Sequence, residues 1–510
     1  MTRLGFALLS DNCIGCHACT VACKSEHDVP LGVNRTWLKY IETGEFPNTG
    51  RSFSVMRCNH CDDAPCMTIC PTSALYRADN GVVDFNDDKC IGCKSCMNAC
   101  PYDAIYINPA TNTAHKCNFC NHRVEVGLEP ACVVVCPTQA IVTGDLDDPN
   151  SAVSKIVARD KTAVRAPEQG TNPKVFYRGV DQASLDPTRT TIPNDGMIWA
   201  DTTPDHPTLT DTMIEHSGSG VVARTTYTTT AKMTWKSKVS GYLVTKAIAA
   251  GLMLFAALLV VMGHGSEQAA VGIVPPVLAG VFTAVTGVLL IADLKQPSRF
   301  LYILTKSNTE SWLVRGAWIL GAFAALVGLW GLLGIADAGD SLQILALPIA
   351  LLSAGVAGYT AFLFGQCEGR DLWQTPLLLP ILLAQAVVAG GAAFALLDLV
   401  MEIPEARTIW IGFLAAIGGL ALLIATELWS KGSRQVELAT LEMTRGKYAA
   451  QFWFGGVLNG LVLPAALLTV ALAVDDAGPW PAACAGAAAL FGLFAYEDAY
   501  VRAGQSVPLS

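Results

Sequence analysis

Little of this chain is charged, and its first half holds no long apolar run. Only 15% of the 510 residues are Asp, Glu, Lys or Arg, and stretches long enough to cross a hydrocarbon core begin near residue 240. The net charge of −9 leaves no basic footprint, which argues against nucleic acid as a partner. Cysteine almost vanishes beyond residue 136. The two that remain, Cys367 and Cys484, lie in or beside apolar segments and are expected to pack as small hydrophobes. No pair of histidines sits at mid-span to ligate a haem, and His264, at the far edge of the first apolar stretch, reads as interfacial. No secretory signal precedes Cys13, and Arg3 is no twin-arginine pair.

What the chain does have is sixteen cysteines in four groups of four. They are Cys13, Cys16, Cys19, Cys23; Cys58, Cys61, Cys66, Cys70; Cys90, Cys93, Cys96, Cys100; and Cys117, Cys120, Cys132, Cys136. A 4Fe–4S cluster takes four soft thiolates around a cube. The spacing C-x2-C-x2-C lets one tight loop present three thiolates while its amides face the sulfurs. The fourth cysteine, three residues on and often before a proline, ligates the other cluster of a pair. The first and third groups have this spacing in full. The second widens one gap, Cys61 to Cys66, and ends Cys70-Pro71; the fourth widens Cys120 to Cys132 and ends Cys136-Pro137. Disulfides do not suit three-ligand loops of this kind, and zinc would take plain C-x2-C pairs. Four 4Fe–4S clusters are therefore expected, in a reducing compartment.

Ligand exchange between the second and third groups assigns Cys58, Cys61, Cys66 and Cys100 to one cluster and Cys70, Cys90, Cys93 and Cys96 to its mate. The first and fourth groups are left to pair, as Cys13, Cys16, Cys19, Cys136 and as Cys23, Cys117, Cys120, Cys132. One two-cluster unit is then nested inside a split one, an internal repeat. Spacing alone leaves that outer pairing open. His17, His60 and His122 are expected as loop residues packing beside clusters, with ligation or proton relay as the alternative. Lys94, Lys116 and Arg123 are expected as solvated loop charges, with tuning of cluster potential as the alternative.

The run Cys58-Asn-His-Cys61-Asp-Asp-Ala-Pro-Cys66-Met-Thr-Ile-Cys70-Pro71-Thr72, with the order of the four groups, resembles the iron–sulfur subunit of the dimethyl-sulfoxide-reductase-type molybdoenzymes over about residues 5–145. The resemblance implies the nested pairing and a linear wire. In it the cluster of Cys13, Cys16, Cys19 and Cys136 lies nearest a molybdopterin subunit, and that of Cys70, Cys90, Cys93 and Cys96 nearest the membrane. The chain holds no molybdopterin domain, so the resemblance implies a separate catalytic partner.

Composition divides the chain into a cluster domain (1–145), an extension and linker rich in Asp, Thr, Pro and Ser (146–239), and an apolar domain (240–510). The extension reads either as part of the cluster domain or as a disordered tether, with a short strand over Val175 to Val180 and loop over 182–212. Eight spans are expected, near 240–263, 269–293, 312–335, 342–366, 376–400, 408–429, 452–474 and 479–500. An even number puts both termini on one side. That side holds thirteen cations, Arg224, Lys232, Lys236, Lys238, Lys295, Arg299, Lys306, Arg370, Lys431, Arg434, Arg445, Lys447 and Arg502, against Arg407 alone opposite. The bias predicts a multi-pass protein of the inner (cytoplasmic) membrane with its cluster domain in the cytoplasm. Trp235, Trp312, Trp410, Trp429, Trp453 and Trp480 read as an aromatic belt.

The stretches Asp293-Leu-Lys-Gln-Pro297-Ser-Arg299-Phe300 and Ser311-Trp312-Leu-Val-Arg315-Gly316-Ala-Trp318 resemble the polysulfide-reductase-type (NrfD-like) membrane anchor, with Tyr359-Thr360, Trp373 and Arg502 fitting more loosely. The resemblance implies an eight-helix anchor that binds a quinone, menaquinone or ubiquinone, close to the cluster subunit. Ionisable groups inside spans are costly and point to function. Lys246 is the strongest case, with Asp293, Glu427 or a quinone carbonyl as its expected partner. Tyr242, Lys246, Asp293, Arg299 and Arg315 are the candidate quinone residues, expected to line one pocket under the cluster domain. Glu427, Glu497 and Asp498 are expected to complement helix dipoles or headgroups, and Asp398 to be an interfacial charge.

The expected architecture is a nested double ferredoxin-like α+β iron–sulfur domain followed by an all-α eight-helix transmembrane bundle. The expected function is electron transfer and membrane anchoring in a quinone-linked molybdoenzyme complex, as a dehydrogenase of sulfite or formate type. The alternatives are a quinol-driven reductase of polysulfide or tetrathionate, and a proton-translocating quinone module. A redox sensor or scaffold would not need a four-cluster wire.

Overall fold

The computed structural model describes residues 2–191, 223–229, 232–430, 432–474 and 478–510. Lys431 and the stretch 192–212 of the expected loop fall outside the described residues.

The cluster half is α+β. The apolar strand Leu4–Leu9 lies in a four-stranded sheet, antiparallel to Ile141–Asp145 and parallel to Val175–Arg178, with Thr162–Ala163 at the far edge. A long hairpin, Thr36–Glu45 with Asn48–Arg57, carries Ala223–Tyr227 on its outer edge. Two short hairpins, Leu75–Arg77 with Val83–Phe85 and Ile105–Ile107 with Ala114–Lys116, flank the inner cysteine groups. Residues assigned to a linker thus complete both larger sheets, and the strand expected from Val175 is there. Between the strands Ile141–Asp145 and Thr162–Ala163 runs the helix Ala152–Arg159, its first turn capped by Ser151 Oγ accepting from the Ser154 amide at 3.1 Å.

In the apolar half, seven helices among the described residues are long and apolar enough to cross a membrane: Ser237–His264, Gln268–Asp293, Trp312–Ile335, Gly339–Gly365, Leu378–Leu397, Ala406–Trp429 and Gln451–Ala473. Eight were expected. The last helix, Trp480–Ser506, falls short on composition, because Pro481, Tyr496, Glu497 and Asp498 dilute its apolar stretch. It still returns the chain to the cluster side. Arg165 of the cluster half donates to the Leu509 carbonyl at 2.7 Å, and Arg370 donates to that of Val507 at 3.1 Å. Seven crossings alone would leave the C-terminus on the face opposite the groups it bonds.

Helices satisfy their own backbone groups, which is what a hydrocarbon solvent demands. The first and fifth helices are the most enclosed, while the outer ones present Val281, Val285, Val288, Leu347, Leu351 and Leu422 outward, an apolar surface suited to lipid. The chain is an integral membrane protein. Its two halves share one apolar core, which runs from the Cys58–Cys70 and Cys90–Cys100 groups through Trp235 into the bundle.

At the bundle centre Gly251 and Gly390 let the first and fifth helices touch backbone to backbone. A Cβ on Gly251 would run into the Ala386 carbonyl and the Gly390 backbone. Gly251→Val is expected to cost about 1–3 kcal/mol or more by overpacking, read as a lower thermal midpoint of the detergent-purified protein. Gly280→Val, where nothing lies within 4 Å, is the neutral control.

Candidate cluster centres and the polar site beneath them

The four C-x2-C loops share a backbone device. The residue before the second cysteine has positive φ in each: Gly15 (72°), His60 (45°), Gly92 (67°) and Phe119 (61°). This left-handed turn curls amides inward around an anion. The amides of His60 and Gly92 reach back to Cys58 and Cys90 Sγ at 3.5 and 3.4 Å. A second device follows the Cys-Pro pairs, where the amides of Ala74 and Ala140, four residues on, donate to Cys70 and Cys136 Sγ at 3.3 and 3.2 Å. Donors of this kind stabilise sulfur that carries negative charge.

Three cavities are lined by cysteine quartets. One holds Cys70, Cys90, Cys93 and Cys96; another Cys58, Cys61, Cys66 and Cys100; the third Cys23, Cys117, Cys120 and Cys132. Cys13 has Cys16 and Cys136 as electrostatic neighbours, and Cys19 faces Cys13. These are the quartets expected from the spacing and the resemblance. Among the described residues no three Cys, His, Asp or Glu side chains converge closely enough for a single metal ion. Thiolates spread around a void are what a cube of iron and sulfide accepts at its corners, and the donor set fits 4Fe–4S clusters. Burial, then neighbouring thiolates, push the free thiols up, to about 12 for Cys61 and Cys93 and about 11 for Cys100. Such thiols stay protonated at neutral pH unless iron takes the proton's place.

The quartets follow one another. Cys19 of the first faces Cys132 of the second, Cys117 of the second faces Cys58 of the third, and Cys96 of the last faces Cys66 of the third. Cys16 is exposed at one end. At the other end the Cys90–Cys96 loop sits on the membrane half. The amides of Lys295 and Gln296 donate to the carbonyls of Gly92 and Ile91, both at 3.1 Å. Arg299 donates to the Cys90 carbonyl at 3.0 Å, Trp235 Nε1 to that of Cys93 at 3.3 Å, and Asn308 to that of Cys70 at 2.9 Å. Lys94 pairs with Asp293 at 2.8 Å.

The side chains around the clusters divide. His17 packs on Tyr40 and Tyr227, and His60 lies buried on Phe119, as expected of loop residues. His122 is exposed and bonds Glu26 at 2.7 Å, which holds that carboxyl below its usual range; Arg123 joins at 3.1 Å. Lys94 and Lys116 are not solvated. Both are buried, Lys94 by its pairing with Asp293 and Lys116 by donating to the Val83 and Cys117 carbonyls. Sequence reasoning missed His27 and Arg57, whose side chains lie 3.2 Å from Cys120 Sγ and 3.4 Å from Cys132 Sγ.

The five candidate quinone residues do not line one pocket. Tyr242 and Lys246 are buried in the bundle. Lys246 Nζ donates to the Ala357 carbonyl at 3.0 Å and to Thr360 Oγ1 at 2.5 Å, and lies 4.7 Å from the Tyr359 ring centre. Its acidic neighbour is Glu497, in place of Asp293 or Glu427. Asp293 and Arg299 are engaged with the cluster loop, and Arg315 lies over Trp312 and donates to the Thr309 carbonyl at 2.8 Å. Glu427, Glu497 and Asp498, expected at dipoles or headgroups, are buried. Glu427 accepts from Tyr500 at 3.3 Å, and Asp498 pairs with Arg502 at 2.7 Å. Asp398 accepts from the Ile403 amide at 3.4 Å. Trp235 is not part of a belt. It is buried in a cluster with Phe364 and Trp373, whose ring centroids lie 5.7 and 5.5 Å away, whereas Trp429, Trp453 and Trp480 are exposed at helix ends.

Comparison with known proteins follows the same division of the sequence. Residues 10–29 match a 4Fe–4S binding domain, residues 51–146 a 4Fe–4S dicluster domain, and residues 226–505 the family described as polysulphide reductase, NrfD. The arsenate respiratory reductase iron–sulfur subunit ArrB of Shewanella sp. (strain ANA-3) is 38% identical over 34% of this chain and 95% of its own length. A tetrathionate reductase subunit of Salmonella typhimurium is 42% identical over 36% of this chain and 76% of its own length. A polysulfide reductase chain of Wolinella succinogenes is 43% identical over 32% and 87%. The protein belongs to the polysulphide reductase NrfD family, and it carries in the same polypeptide a 4Fe–4S domain of the kind found in reductase iron–sulfur subunits.

Proposed function

We propose that this chain is the electron-transfer and membrane-anchor subunit of a quinone-linked molybdoenzyme complex. The observation that carries the reading is the seating of the Cys90–Cys96 loop on the 293–311 segment of the membrane half, at the end of a row of four cysteine quartets. Sixteen thiolates would hold four 4Fe–4S clusters in the quartets given above, which when bound supply one-electron steps between the two ends. The outer end, with exposed Cys16, Ile14, Val21 and Val134, offers the apolar face for a separate molybdopterin catalytic subunit.

At the inner end, Trp235 bonds the Cys93 carbonyl and leads into the first membrane helix, which carries Tyr242 and Lys246. By helical rise Lys246 lies about 16 Å from Trp235. Tyr242, Lys246 and Thr360 are the donors for a quinone carbonyl, and Glu497 is the carboxylate placed to exchange a proton with Lys246. Asp293 and Arg299 hold the cluster loop against this site. The relatives are named as reductases, which favours electron flow from quinol to the catalytic partner. The cation bias of the cluster side favours a cytoplasmic cluster domain, and with it the second reading, a dehydrogenase of sulfite or formate type feeding quinone.

Three outcomes test this. Cys96→Ser is expected to remove the EPR signal of one cluster and abolish quinone turnover while dye-linked activity of the partner persists; full quinone turnover without that signal would refute the path. Lys246→Met, losing a buried donor, is expected to lower quinone turnover at least tenfold with all cluster signals intact. In intact cells a membrane-impermeant thiol reagent is expected to label Arg407→Cys and spare Lys306→Cys. The reverse pattern places the cluster domain outside.

A further inference from the structure

Arg57 closes the long hairpin strand Asn48–Arg57 and points inward, with none of its side chain exposed to solvent. Its Nη1 lies 3.4 Å from Cys132 Sγ, its guanidinium carbon sits 4.3 Å over the centre of the Phe6 ring, and it lines the cavity of Cys23, Cys117, Cys120 and Cys132. Cys117 and Cys19 are the other cysteines close to it. Nε and Nη2 are buried with no hydrogen-bond partner, and no carboxylate pairs with it among the described residues.

Buried cations elsewhere in this half are treated differently. Lys94 is neutralised by Asp293 at 2.8 Å and Lys174 by Asp62 at 3.1 Å. Lys116 gives its ammonium to the Val83 and Cys117 carbonyls, and Arg165 its guanidinium to those of Tyr102 and Leu509. Arg57 alone among these aims its charge at cysteine sulfur. A guanidinium stays protonated under all ordinary conditions, and burying it without a counter-ion is strongly unfavourable. The missing negative charge has to come from the cavity it lines.

We infer that Arg57 is the potential-setting residue of the cluster held by Cys23, Cys117, Cys120 and Cys132, raising its affinity for an electron. The inference rests on the cluster reading above. A thiolate-ligated 4Fe–4S centre gains one negative charge on reduction, with no bond made or broken at Arg57. A fixed, unscreened positive charge touching one ligand therefore favours the reduced form. Cys19 brings the first quartet within range of the same charge, at lesser strength. At the membrane-proximal quartet the buried cation Lys94 is paired with Asp293.

The test is a redox titration of the full-length protein in its complex, followed by EPR, on Arg57→Gln and Arg57→Lys, with iron counted in each preparation. Arg57→Gln is expected to keep the full iron complement and to lower the midpoint of one cluster by at least tenfold in its reduction equilibrium, about 59 mV for one electron. Arg57→Lys, which keeps the charge, is expected to stay closer to wild type than Arg57→Gln. Loss of iron from Arg57→Gln alone, with Arg57→Lys assembled at near wild-type potentials, also supports a charge role. Unchanged midpoints in Arg57→Gln, equal shifts in both variants, or loss of iron from both would overturn it. A wild-type protein with far fewer than four cluster signals would instead remove the reading on which it rests.

Discussion

Everything in the cluster half answers one constraint: negative sulfur has to be buried in a protein that gives it little water. Left-handed turns at Gly15, His60, Gly92 and Phe119 bend each loop so that amides face thiolates. The sheets wrap the loops from outside, with Phe6, Leu8, Val175 and Tyr177 packed beside Cys19 and Cys132 in a single core. An apolar shell of this kind weakens solvent screening, so each donor or cation inside it acts at nearly full strength. The shell that protects a cluster is thus also what lets a single residue tune it.

The second constraint is distance. Relatives matched by the iron–sulfur domain account for about a third of this chain, and the rest is the membrane anchor in the same polypeptide. The junction is more than a tether. Backbone hydrogen bonds from Lys295 and Gln296, the Lys94–Asp293 pair and the return of the C-terminal tail to Arg165 fix the last quartet over the first membrane helix. A Cβ on Gly92 would run into Lys295, so the loop and the membrane segment meet at the closest approach a backbone allows. Covalent fusion makes this contact intramolecular, which raises its effective concentration without any new interaction.

Cysteine spacing is a local signal, and the four cysteine groups and the inner pair of quartets were legible from it, while the outer pairing came from the resemblance. Hydrophobic runs are equally local, so eight stretches could be read; seven of them are helices long and apolar enough to cross, and the eighth is diluted by the same Glu497 and Asp498 that the bundle buries. What was not legible depends on direction. Helix-end position brought Asp293, Arg299 and Arg315 together on paper, but rotation about the helix axis and the docking of the cluster loop sent them to three different partners. Lys94 and Lys116 looked solvated because the groups that accept from them lie far away in sequence, at Asp293 and Val83. Strand pairing is likewise non-local, so 162–163 and 223–227 read as linker although they join the two larger sheets, while the strand at 175–178 was legible from its own residues.

Charge bookkeeping ties assembly to function. Arg57 and Lys116 are buried near cluster cysteines without a carboxylate bonded to them among the described residues. Without clusters, this half would hold two uncompensated cations beside thiols that burial keeps protonated, two penalties of the same sign. Iron binding removes both at once: it converts the thiols to thiolates and supplies the negative charge that the cations lack. Cluster insertion and consolidation of the cluster half are therefore one coupled event. The last quartet also forms the surface on which the membrane half rests, so the electron path is completed by the same step that locks the two halves together.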